Sequence, residues 1–174
     1  MKKASLFKTT SSWFLPGLIA GLVFLASALI SGAVSTTVWA MPEAIARAVG
    51  MSVPADYSLA LGPLLVGVAV HLAISLALGV LFVALTGRLR LRGWLLMLVA
   101  VIFGAAEPAV ALWVVMHNLL PASTFNFFLD AIPLWGSVLG HSMYGLVLGL
   151  LLTFGPWAFA AKPQQSAGWQ RAGE

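Results

Sequence analysis

Four apolar stretches, at about residues 13–40, 63–85, 93–118 and 133–160, leave this chain little choice of fold. Each reaches or exceeds the roughly 20 residues that an α-helix needs to cross about 30 Å of hydrocarbon. Only 8% of the residues are charged and 61% are hydrophobic, against a charged share of about 25% in soluble domains. The expected class is therefore all-α: a polytopic membrane protein with a four-transmembrane-helix bundle over residues 1–160 and a polar cytoplasmic tail over 161–174.

The charges set an orientation. Lys2, Lys3, Lys8, Arg88, Arg90, Arg92, Lys162 and Arg171 fall on one side of the four spans and only Arg47 on the other, so the positive-inside rule puts both termini in the cytoplasm. Trp13, Trp94 and Trp157 would then mark the inner interface and Trp39, Trp113 and Trp135 the outer one, in agreement with the charges. The expected location is the bacterial inner membrane, with the lipid bilayer as the principal partner. A net charge of +4 raises the question of nucleic acid, but the basic residues cap apolar segments and form no aromatic-interleaved basic surface, so no nucleic-acid partner is expected. The first apolar stretch follows three lysines and ends at Val38-Trp39-Ala40, in outline like a signal peptide. It is longer than the roughly 7–15 residues of a secretory core, and a retained first span is the expectation.

Between the spans, Met41 to Gly62 contains Pro42, Gly50 and Pro54, with Glu43 and Arg47 at the i,i+4 spacing of a short surface helix at the interface. Leu119 to Ile132 reads as an interfacial loop whose Phe125, Phe127 and Phe128 dip into the headgroups. In the third span Pro108 deprives the Gly104 carbonyl of its helical donor, which predicts a kink there.

Two copies of one pattern stand out within this frame. Gly67-x3-His71-x3-Ser75-x3-Gly79 in the second span returns as Ser137-x3-His141-x3-Gly145-x3-Gly149 in the fourth. Residues four apart share one helical face, so each copy is a stripe of small residues interrupted by one imidazole. Gly17 and Gly21 make a close-packing pair in the first span, Gly104 contributes to the third, and Ser27, Ser31 and Ser35 form a hydroxyl stripe that serves packing. The seventy-residue repeat suggests two parallel helical hairpins related by an axis along the membrane normal.

Counted from the outer ends of their spans, His71 and His141 lie about eight residues in and Glu107 about eleven, or roughly 12–17 Å deep at 1.5 Å per residue. Ala100, Gly104, Glu107 and Ala111 follow a bundle seam that turns Glu107 inward. An ionised carboxylate facing lipid is costly, so the three residues form a candidate proton or cation site, with Ser31, Ser35, Ser75, Ser137 and Tyr144 as polar groups within reach. His117 sits where the third span leaves the membrane and reads as an interfacial residue.

With no cysteine there is no thiolate metal site, no c-type haem attachment and no thiol nucleophile. Two imidazoles at matched depth leave b-type haem or a transition metal as cofactor options. The absence of His-Glu-x-x-His and Gly-x-Ser-x-Gly argues against an enzyme. Two readings remain: an intramembrane His/Glu site for small transport, sensing or electron transfer, or a structural or assembly subunit whose small-residue faces pack against a membrane-protein partner or a second copy of the chain.

Gly17 and Gly21, His71, Arg88 to Arg92 and Gly140-His141 occur in an order that resembles the small YagU-like bacterial inner-membrane proteins. The resemblance implies a four-helix inner-membrane protein with a link to acid stress. Glu107-Pro108 has no counterpart in it.

Overall fold

The computed structural model describes residues 4–159, with the side chains of 4–13, 115, 158 and 159 excepted. The polar tail, with Lys162 and Arg171, and the leading Lys2 and Lys3 lie outside the described residues. Among the described residues all regular structure is helical: α1 (Ala4–Ser35), α2 (Ala40–Ala48), α3 (Leu61–Arg88), α4 (Gly93–Ala109), a π-helical segment (Val110–Met116), the single turn α5 (His117–Leu119), α6 (Ala122–Ala131), α7 (Leu134–Phe154) and a 3-10 turn (Pro156–Phe159). Four helices are long and apolar enough to cross a membrane: Phe14–Ser35, Leu61–Arg88, Gly93–Leu119 and Leu134–Phe154. Their outward faces carry Leu22, Ile30, Leu65, Leu81, Leu98 and Ile102, all exposed, an apolar surface suited to lipid. The chain is an all-α, multi-pass membrane bundle.

Burial follows a spacing of three or four on every span. On α1 the inward residues are Gly17, Ala20, Gly21, Phe24, Ala28 and Ser31; on α3 they are Gly67, His71, Ser75, Gly79, Phe82 and Thr86. α4 buries Leu96, Ala100, Gly104 and Pro108, and α7 buries Gly140, Tyr144, Gly145, Leu148 and Gly149. Lipid tails are as apolar as leucine, so helices in a bilayer associate through close van der Waals fit, which small side chains permit. A β-carbon built on Gly79 would lie 2.5 Å from the Gly17 Cα, and one on Gly21 would lie 2.5 Å from the Ser75 Cβ. Across the other seam, a β-carbon on Gly145 would collide with the Ala100 carbonyl, and one on Gly104 with the His141 carbonyl. On Gly149 it would lie 2.9 Å from the Ala100 Cβ, and on Gly67 it would run into the Pro42 carbonyl.

The spans are arranged in the packing order α3, α1, α7, α4. α1 packs along both α3 and α7, and α7 packs along α4, whereas the backbones of α3 and α4 scarcely meet. The half of that gap nearer the α3–α4 connection is filled by Phe82 and Phe103, whose ring centroids lie 5.1 Å apart. Its other half stays open. The two hairpins share an order of elements, span, short helix, span, and the short helices α2 and α6 pack together at one end. Their packing is not equivalent, because the α1–α7 contact has no α3–α4 counterpart.

Both connectors differ from the sequence expectation. Glu43 does not pair with Arg47 on a surface helix: its side chain is fully buried, and Oε1 accepts a 2.7 Å hydrogen bond from the Ala60 N–H, which caps α3. An N–H at a helix start has no intrahelical acceptor, so the carboxylate takes that place and the helix dipole favours its charge. Arg47 lies instead over the Phe127 ring, 4.2 Å from the centroid. Residues 122–131 form helix α6 rather than a loop. Its phenylalanines turn inward: Phe125 is buried, Phe127 packs on Tyr57 with centroids 4.7 Å apart, and Phe128 faces the gap between α3 and α4. The first span is also shorter than expected. It stops at Ser35, where the chain turns so that Thr36 Oγ1 donates to the Ala131 carbonyl and the Trp39 indole N–H to that of Tyr57.

Candidate functional site

Pro108 has no N–H to give to Gly104, and the helix adapts just beyond it. From Val110 to Met116 the backbone widens to a π-helix, and the His117 N–H bonds the Leu112 carbonyl five residues back. Single π turns are frequent at functional sites. The expected seam through Ala100, Gly104, Glu107 and Ala111 runs instead through Leu96, Ala100, Gly104 and Pro108, which leaves Glu107 beside the buried stripe. There it meets α7, where the carboxylate Oε2 contacts His141 Nε2 directly and has no other polar partner. This is the one ion pair among the described residues. Both side chains retain a little exposure, 17% for Glu107 and 16% for His141.

The tautomer of His141 follows from its other nitrogen. Nδ1 lies 2.7 Å from the Ser137 carbonyl oxygen, an atom that only accepts, so Nδ1 carries a proton. Nε2 and Oε2 in direct contact need one proton between them, since two bare lone pairs would repel. Whether that proton resides on nitrogen or on oxygen, the pair as a whole is neutral. This suits a low-dielectric layer, where an isolated ion costs far more than a close, hydrogen-bonded pair.

His71 stands on the other side of Phe24. The Phe24 ring, on α1, lies 4.8 Å from the His71 ring centroid and 4.2 Å from that of His141. His71 Nε2 is 3.0 Å from the Gly21 carbonyl and must donate to it, so the neutral ring keeps its lone pair on Nδ1. Gly21 makes this contact possible, since it brings the α1 backbone against Ser75, one turn along from His71. The two histidines of the repeated pattern therefore hold different roles: one is bonded to a neighbouring backbone, the other to a carboxyl.

All three residues line one cavity of about 240 Å³ between α3 and α4. Its walls are apolar, from Ile45, Val70, Ile74, Leu78, Leu112 and Phe128 among others, and its polar groups are His71, Ser75, Glu107, Ser137, His141 and Tyr144. Tyr144 donates a 2.6 Å hydrogen bond to the Ser75 carbonyl and ties α7 to α3 across the cavity floor. Ser75 and Ser137 hydroxyls lie 3.5 Å from the near nitrogens of His71 and His141. Ser31 and Ser35 are not part of the site. Each hydroxyl donates back into its own helix, to Ala28 and Ser31 respectively, and neither lines the cavity. His117 is exposed beside Trp113 and Phe125, at the C-terminal end of the third span.

Phe24, whose ring lies between the two imidazoles, is the position in this layer that sequence reasoning missed. Nothing distinguishes it from other phenylalanines in an apolar run, although its place on the face of Gly17, Gly21 and Ala28 is a signal that it points inward. The donor set does not fit a bis-imidazole haem, because both Nε2 atoms are committed to Gly21 and Glu107 and the Phe24 ring touches both imidazoles. No group of three or more His, Cys, Asp or Glu suited to a metal ion occurs among the described residues. No protein-family model matches the chain, and no curated protein or solved structure shows significant similarity to it.

Proposed function

We propose that this is a bacterial inner-membrane protein with both termini in the cytoplasm, and that its His141–Glu107 pair is an intramembrane proton-exchange site serving small-scale transport or sensing. The observation that carries the reading is the single proton left between His141 Nε2 and Glu107, once Nδ1 is committed to Ser137. Such a proton moves between two groups at little cost, and the partly open cavity beside it gives a route for exchange. His71, with Nδ1 uncommitted and on the same cavity, is the adjoining acceptor. The resemblance to YagU-like proteins and its implied link to acid stress fit a site whose state follows pH.

Nitrogen-15 NMR of histidine-labelled protein in nanodiscs tests this, because His71, His117 and His141 are the only histidines in the chain. In the wild type His141 should titrate as one unit with a carboxyl. In Glu107→Gln the pH dependence of the His141 signals should change, with the His117 signals, from the far end of the third span, as the internal reference. Identical His141 titration in both proteins would refute the exchange site and leave a packing role.

A further inference from the structure

The cavity between α3 and α4 has the size and polarity of a ligand site. An engineered cavity of about 150 Å³ suffices for benzene, and this one measures about 240 Å³, enough for a substituted six-membered ring. The rim is bilayer-facing: Ile74, Val49 and Leu119 line the cavity and are half or more exposed, and the backbones of α3 and α4 do not close over it. A molecule dissolved in the bilayer can enter sideways without crossing a polar surface.

The polar end states what the head of that molecule must be. His71 Nε2–H is used on Gly21, so Nδ1 offers a lone pair. Tyr144 spends its proton on the Ser75 carbonyl, so its oxygen is likewise an acceptor. Ser75 and Ser137 bring hydroxyls that can give as well as take a hydrogen bond. The site therefore suits a group that donates one hydrogen bond and accepts another. It also has no carboxylate to spare, since Glu107 is matched by His141, so a cationic head would enter without a counter-charge. On these grounds we propose that the cavity binds a neutral, membrane-dissolved phenol, a single hydroxylated ring on an apolar tail, with its hydroxyl against His71 Nδ1. This rests on the reading of the His–Glu layer as a working site and names the class of ligand it serves.

The test uses the full chain in nanodiscs and three probes of matched size: 4-propylphenol, 4-propyltoluene and 4-propylbenzylamine. The phenol should bind saturably, shift the His71 Nδ1 resonance, and bind about tenfold more tightly than the toluene, the worth of roughly one hydrogen bond. Equal binding of phenol and toluene would show a pocket for lipid tails only and overturn the proposal. Tighter binding of the amine would overturn it in favour of a cation site. His71→Phe should remove the preference for the phenol over the toluene. Should that variant fail to fold, Ala111→Leu narrows the cavity from the π-helical segment and should abolish phenol binding while the three histidine signals persist; undiminished binding would refute the location. The two readings fail separately: His141 titration without ligand judges the proton pair, whereas the phenol preference judges the cavity.

Discussion

Replacing Gly145 by alanine tests the packing logic of the bundle most directly. The added methyl would meet the Ala100 carbonyl oxygen head-on, with the Ala100 carbonyl carbon at 3.0 Å and the Val101 Cα at 3.1 Å. All three are main-chain atoms inside α4, so no side chain can swing away and the two helices must part. A separation on the order of 0.5–1 Å forfeits a quarter to a half of the dispersion energy of each atom pair along the seam. Overpacking of this kind costs about 1–3 kcal/mol, and the upper part of that range is expected because the obstacle is backbone. Gly87→Ala is the matched control. It lies in α3, a β-carbon there meets nothing within 4 Å, and the change should stabilise by about 0.5–1 kcal/mol through helix propensity alone. Unfolding of both variants in mixed dodecyl sulfate and maltoside micelles, followed by circular dichroism, gives the comparison. If Gly145→Ala proved as stable as Gly87→Ala, the close approach of α4 and α7 would be wrong.

Three further outcomes are expected. Glu43→Ala leaves the Ala60 N–H at the start of α3 without its acceptor and should destabilise by about 1–3 kcal/mol in the same assay, whereas Glu43→Gln, which keeps an acceptor oxygen, should lose less. Burial raises the Tyr57 hydroxyl above its ordinary value of 10.0, with Asp130 adding to the shift and Arg47 opposing it. The folded state thus holds the proton more tightly. The resulting stability is present below pH 10, is lost as pH rises through the folded value, and should be absent from an alkaline titration of Tyr57→Phe. A cysteine introduced at position 90 should react with a membrane-impermeant maleimide only after the cells are opened, and labelling of intact spheroplasts would reverse the proposed orientation.

The spans were legible because hydropathy over twenty or more residues has few explanations, and their inward faces were legible wherever glycine, alanine and serine recur every fourth residue. The short helices α2 and α6 were harder to read. Pro42, Pro54 and Pro121 look like loop punctuation, and nothing local says that Glu43 is buried at the start of another helix or that Phe128 turns inward. At the site, depth counting places His71, Glu107 and His141 in one layer, but depth is one coordinate. Which imidazole meets the carboxyl depends on azimuth, and that is set by the packing order of four helices, which lays α4 along α7 rather than α3. The cavity itself is a property of two helices that do not touch, and an absent contact leaves no mark on either sequence.

The widened turn at Val110–Met116 has a consequence for how this wall can change. On a uniform α-helix the nine residues from Glu107 to Met116 advance about 900°, half a revolution out of step, so the two side chains would point to opposite faces. The extra residue in the turn brings Met116 back to the side of the cavity. The C-terminal third of this helix is therefore governed by a count of residues as much as by their chemistry. Loss of one codon between positions 110 and 116 would close the widened turn to a plain α-helix and leave Leu119 and Leu120 facing as they do, whereas the same loss from a regular turn would rotate everything beyond it by about 100°.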